Sequence, residues 1–88
     1  MQLKECIKNI KTQSITGSLE KEIHDIIIDS RNVKEGSLFV ALKGTITDGH
    51  TYIEQAIEKG ATAILCEKVP QRIDTHTTYI QVEHCDSI

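Results

Sequence analysis

Two short segments hold most of the residues able to do chemistry. Asp29-Ser30-Arg31 follows an apolar run, and Gly44-Thr45-Ile46-Thr47-Asp48-Gly49-His50 follows another. Together they offer hydroxyls, a carboxylate, a guanidinium and backbone amides loosened by glycine. That set suits a polar, phosphate-bearing ligand such as a nucleotide sugar. The plainer alternative is that Ser, Thr, Asp and Gly stand there for turn chemistry alone.

Other groupings carry less. His76, His84 and Cys85 match no common zinc spacing. His24 and His50 are acid-base candidates by type, but His50 beside a helix start reads as a loop or capping residue. Asp25 and Asp29 are four apart, about 13 Å on an extended strand, too far for a carboxylate pair. Cys66 within an apolar run reads as a small core residue. Cys6, Cys66 and Cys85 are odd in number and form no CxxC pair, so they read as reduced thiols rather than a disulfide framework.

The elements that must position the two segments are legible in outline. Leu3, Ile7 and Ile10 recur at helical spacing among Lys4, Glu5, Lys8 and Lys11, which predicts a short N-terminal amphipathic helix closed by the turn Thr16-Gly17-Ser18. Ile26-Ile27-Ile28, short and β-branched, predicts a buried strand. Lys34-Glu35-Gly36 is a turn, and Leu38 to Leu42 is a second strand whose unbroken apolar run implies a sheet covered on both faces. Lys43 to His50 is a loop. A helix follows with Ile53, Ala56 and Ile57 on its dry side, Glu54, Glu58 and Lys59 on its wet side, and Gly60 at a left-handed C-terminal cap. Ala63 to Cys66 is the next strand, Pro70 opens a loop, and Tyr79 to Val82 is the last. The fold predicted is α/β: one small domain over residues 1–88, a layered sheet of about four strands with a βαβ unit and an N-terminal helix.

Eighty-eight residues suffice for one small core. With 39% hydrophobic and 26% charged residues the chain has the composition of a folded globular protein, and its 3% aromatics leave the core to Ile, Leu, Val and Ala. A net charge of −3 with interleaved Lys and Glu disfavours nucleic acid as a partner. No apolar run approaches the roughly 20 residues that span a bilayer, so no membrane partner and a cytoplasmic location are expected.

The run Asp29-Ser30-Arg31-x-Val33-x-x-Gly36-x-Leu38-Phe39-Val40-Ala41-Leu42-Lys43-Gly44-Thr45-x-x-Asp48-Gly49-His50 resembles the signature of the Mur ligase N-terminal domain. The likeness continues through Tyr52-Ile53-x-x-Ala56-Ile57-x-x-Gly60-Ala61 and Ala63-Ile64-Leu65-Cys66-Glu67. Within the family the pattern is most similar to the branch that adds the third residue of the peptidoglycan stem peptide. The sibling branch, which adds D-alanyl-D-alanine, shares the Asp-Ser-Arg and Asp-Gly-His elements but commonly differs between Gly44 and Asp48.

The resemblance implies that this domain holds the UDP-N-acetylmuramoyl end of UDP-N-acetylmuramoyl-L-alanyl-D-glutamate. Matched position by position, the contacts fall on Ile28, Ser30, Thr45, Ile46, Thr47 and Asp48, with Arg31, Gly49 and His50 as secondary candidates that also shape the loop. Some relatives carry His where this chain has Thr45, which keeps hydrogen bonding but not a ring contact. Family chemistry phosphorylates a carboxylate with ATP and lets an amine attack the acyl phosphate. That needs a Gly-x-x-Gly-Lys-Thr/Ser type loop and magnesium. The sequence contains no such loop, so no catalytic residue, cofactor or metal is assigned here. ATP and magnesium are expected in a parent enzyme, whose central domain would join this one in cis. The alternative from another class is a free-standing nucleotide-sugar-binding or interaction module, and downstream coding sequence separates the two. Whether meso-diaminopimelate or L-lysine is added is left open.

Overall fold

A computed structural model describes residues 1–41, 52–71 and 73–83. Its elements in chain order are helix α1 (Leu3–Cys6), strand β1 (Thr12–Thr16), strand β2 (Asp25–Ile27), a 3-10 turn (Ser30–Asn32), strand β3 (Ser37–Val40), helix α2 (Ile53–Glu58), strand β4 (Ala63–Cys66) and strand β5 (Thr78–Val82). The strands form one mixed sheet in the order β1-β5-β4-β3-β2. β2, β3, β4 and β5 run parallel, and β1 pairs antiparallel with β5.

Period-two alternation divides each central strand between two cores. Leu38 and Val40, Ala63 and Leu65, and Ile80 and Val82 face one side, where Leu3, Ile7 and Ile23 cover them. Phe39, Ile64, Cys66 and Tyr79 face the other, where Ile53 and Ala56 of α2 and Val33 of the β2–β3 connection complete the layer. This is the two-faced α/β sheet that the apolar runs predict. The βαβ unit is present as β3, α2 and the adjacent parallel β4. Gly60 ends the helix region with φ +104°, and a Cβ there would sit 2.9 Å from the Glu35 Cα. Glycine is therefore needed both for its backbone conformation and for the close approach of two turns.

Three expectations change. A fifth strand exists: Thr12 to Thr16 is almost wholly exposed and has no apolar alternation to announce it. It forms because β5 offers an unpaired edge. Its register includes Ile15 opposite Ile80, and the Ser14 hydroxyl donates to Gln81 Oε1 at 2.9 Å. The N-terminal helix is shorter than the Leu3 to Ile10 periodicity suggests, because the chain must leave it to enter β1. It is held by Leu3 N–H donating to the Lys21 carbonyl and by paired bonds between Met1 and Ile23. Finally, the Ile26-Ile27-Ile28 strand is an edge strand, not a buried one. Ile27 packs against the α2-side core, but Ile26 is 49% and Ile28 60% exposed.

Candidate functional site

Parallel pairing brings the carboxyl ends of β2 and β3 side by side, where ligands of open α/β sheets bind. Ile28, Asp29, Ser30 and Arg31 leave β2 at this end. The second segment follows Ala41 at the end of β3, but Thr45, Ile46, Thr47, Asp48, Gly49 and His50 lie outside the described residues.

Asp29 shapes the first segment. Its carboxylate accepts the Arg31 backbone N–H at 2.9 Å, which starts the 3-10 turn, and it also accepts the Arg31 guanidinium, with Nη2 at 2.7 Å and Nε at 3.1 and 3.2 Å. These side-chain and backbone bonds from Arg31 hold the Asp29 carboxyl down at about 2. The Arg31 charge is thus already paired. Its side chain, 82% exposed, braces the turn through that pair.

Ile28, just before the turn, stands in solvent, whereas Ser30 within it is buried. Ser30 is 6% exposed. Its hydroxyl donates to Gln55 Oε1 on α2 at 3.4 Å, and its carbonyl accepts Lys59 Nζ at 3.2 Å and Val33 N–H at 3.3 Å. Ile28 leaves an apolar side chain exposed, and the Ser30 hydroxyl retains acceptor lone pairs beyond its bond to Gln55. Gln55 and Lys59 of α2 hold Ser30 in place, a contact that reading the sequence missed. Their i, i+4 spacing puts them on one side of α2, but nothing local says that this side meets Ser30.

The two aspartates four residues apart go to different partners. Asp25 accepts the Ser37 hydroxyl at 2.5 Å and pairs with Lys34 Nζ at 3.4 Å, and the Ser37 bond leads in holding its carboxyl below the ordinary range. It belongs to the amino-terminal end of β2, and Asp29 to the carboxyl end. His24 is exposed and packs its ring over Gly36. His76 uses its backbone N–H to bond Asp74 Oδ1. His84 and Cys85 lie outside the described residues, and no group of three metal-ligating side chains occurs within them. Cys66 is fully buried in the α2-side core.

An open cleft of about 480 Å³ lies beside α2 between Glu54, Glu58, Asp74, His76 and Tyr79. Its three carboxylates make it a poor host for a phosphate.

The chain was compared with known proteins. Residues 22–84 match the family model described as "Mur ligase family, catalytic domain". The chain is 54% identical over 82 residues to a UDP-N-acetylmuramoyl-L-alanyl-D-glutamate–2,6-diaminopimelate ligase of Bacteroides fragilis, covering 93% of this chain and 17% of that protein. It is 52% identical over 83 residues to the protein of the same name in Bacteroides thetaiotaomicron, again covering 94% and 17%. Among solved structures it is similar to MurF ligase from Thermotoga maritima in complex with ADP, with a TM-score of 0.63 and 35% identity over 72% of this chain and 14% of that one. The UDP-N-acetylmuramoylalanyl-D-glutamyl-2,6-diaminopimelate–D-alanyl-D-alanyl ligase of Acinetobacter baumannii gives 0.61 and 30% over 72% and 14%.

Proposed function

Because this chain belongs to the Mur ligase family, we propose that it anchors the UDP-N-acetylmuramoyl end of the nucleotide precursor in an ATP-dependent ligase of peptidoglycan synthesis. The observation that carries this is the strand-end geometry. Ile28 and the fixed Ser30 turn leave β2 beside the end of β3, from which the Thr45 to Asp48 segment follows. The family model's description includes the word catalytic. In our reading, the share of the reaction that falls to this segment is holding substrate.

Relatives of 40–54% identity are named as ligases of 2,6-diaminopimelate. They favour a UDP-N-acetylmuramoyl-tripeptide synthetase that takes UDP-N-acetylmuramoyl-L-alanyl-D-glutamate and adds diaminopimelate rather than lysine. The D-alanyl-D-alanine branch is the second reading, supported by solved structures at 30–35% identity. The chain spans 17% of the length of the first relatives, and we assign ATP, magnesium and the acyl-phosphate step to a central domain in cis. No helix among the described residues is long and apolar enough to cross a membrane. A cytoplasmic location fits a soluble nucleotide precursor.

On this reading the isolated chain binds UDP-N-acetylmuramic acid weakly and hydrolyses no ATP. Amide shifts of the labelled chain on titration with that ligand should centre on Ile28 to Arg31 and Thr45 to Asp48. In the full-length ligase Ser30→Ala should raise KM about fivefold with kcat nearly unchanged, the loss of one modest hydrogen bond. Shifts centred on Cys66 and the His84 region, with Ser30 silent, would place the site elsewhere.

A further inference from the structure

We propose that Gln55 and Lys59 of α2 are positioning residues for the nucleotide site, acting through Ser30. The inference rests on the reading of Ser30 as a ligand contact and adds to it which residues give that contact its orientation and polarity.

Three observations carry it. The Ser30 hydroxyl has one proton and directs it at Gln55 Oε1, 3.4 Å away. While that bond is kept, what it presents to a ligand is lone pairs, so it accepts from a ligand N–H or O–H. The Ser30 carbonyl is drawn to the same helix by Lys59 Nζ at 3.2 Å. Both atoms of one residue are therefore referenced to one rigid element, as a preorganised contact requires.

The third observation is what these two side chains do not do. Gln55 and Lys59 are exposed residues, and the packing of α2 on the sheet is carried by Ile53, Ala56 and Ile57. The Lys59 charge also favours the Asp29 carboxylate, but Arg31 is what pairs with it directly. At 3.4 Å the Gln55 bond is long, and its worth is in direction rather than in stability.

The test is steady-state kinetics of the full-length ligase with its UDP-linked precursor as the varied substrate. Gln55→Met and Lys59→Met should each raise KM about threefold with kcat within about twofold of wild type, and melting should be little changed. Gln55→Glu keeps an acceptor and Lys59→Arg keeps a cationic donor, so each should restore most of the affinity. Gln55 acts through the Ser30 hydroxyl, so Ser30→Ala with Gln55→Met should be no worse than Ser30→Ala alone. A purely structural role would make those two effects multiply and would overturn the proposal. So would a KM raised by Ser30→Ala but unmoved by Gln55→Met and Lys59→Met. If Ser30→Ala itself leaves KM unmoved, the placement of the site falls, and this inference with it.

Discussion

Replacing Gly60 by alanine should unfold a large part of this domain's stability through one added methyl group. Gly60 has φ +104°, a region L-residues avoid, and forcing alanine there costs roughly 1–2 kcal/mol. The new Cβ would lie 2.9 Å from Glu35 Cα and 3.0 Å from Glu35 N. Those are backbone atoms of the turn entering β3 and cannot swing aside as a side chain does, so overpacking adds roughly 1–2 kcal/mol. The sum is about 2–4 kcal/mol. Against a total of about 4–13 kcal/mol for 88 residues, that is a large fraction. At a central value of about 6 °C per kcal/mol for a domain of this size, melting should fall by about 12–24 °C. Thermal unfolding followed by circular dichroism measures it, with Glu58→Ala as the control. Glu58 is exposed on the same helix, and its loss should cost within about 0.5 kcal/mol. A Gly60→Ala midpoint as close to wild type as that control would refute the reasoning, since neither the backbone strain nor the contact with Glu35 could then be real.

Asp29 should titrate near 2 when its carboxyl carbon is followed by NMR, and Arg31→Ala should return it towards the ordinary value near 3.8. Because the folded value is the lower one, the stability linked to Asp29 is present above about 4 and is lost as pH falls from about 4 through about 2. An unchanged midpoint in Arg31→Ala would mean that the pair is not what holds it. Ser37 is fully buried, donates to Asp25 and accepts the Lys34 N–H. Ser37→Ala should therefore cost about 1–2 kcal/mol in urea unfolding at neutral pH and raise the Asp25 titration midpoint. A loss of stability without that rise would show that Asp25 is held by Lys34 instead.

Much of this architecture is written locally. The runs around Phe39 and Ile64 are apolar without a break because central parallel strands are buried on both faces, and that pattern announces them whatever the rest of the chain does; β5 is announced by Tyr79, Ile80 and Val82 although Gln81 interrupts it. The face of α2 and the left-handed Gly60 follow from spacing and from the one residue type that tolerates such a φ. The polar segment after β2 was likewise readable from its residue types, while the one from Gly44 to His50 lies outside the described residues. What could not be read locally is whatever depends on pairing at a distance. Thr12 to Thr16 is polar, and β5, more than sixty residues away, makes it a strand by lending it an edge. Ile26 and Ile28 have the chemistry of core residues but are exposed, on a strand that among the described residues is the edge of the sheet. The direction of the Ser30 proton was decided in the same way. A serine after a strand points to hydrogen bonding but not to its polarity, and only the packing of α2, which brings Gln55 and Lys59 against that turn from 25 and 29 residues away, selects one orientation.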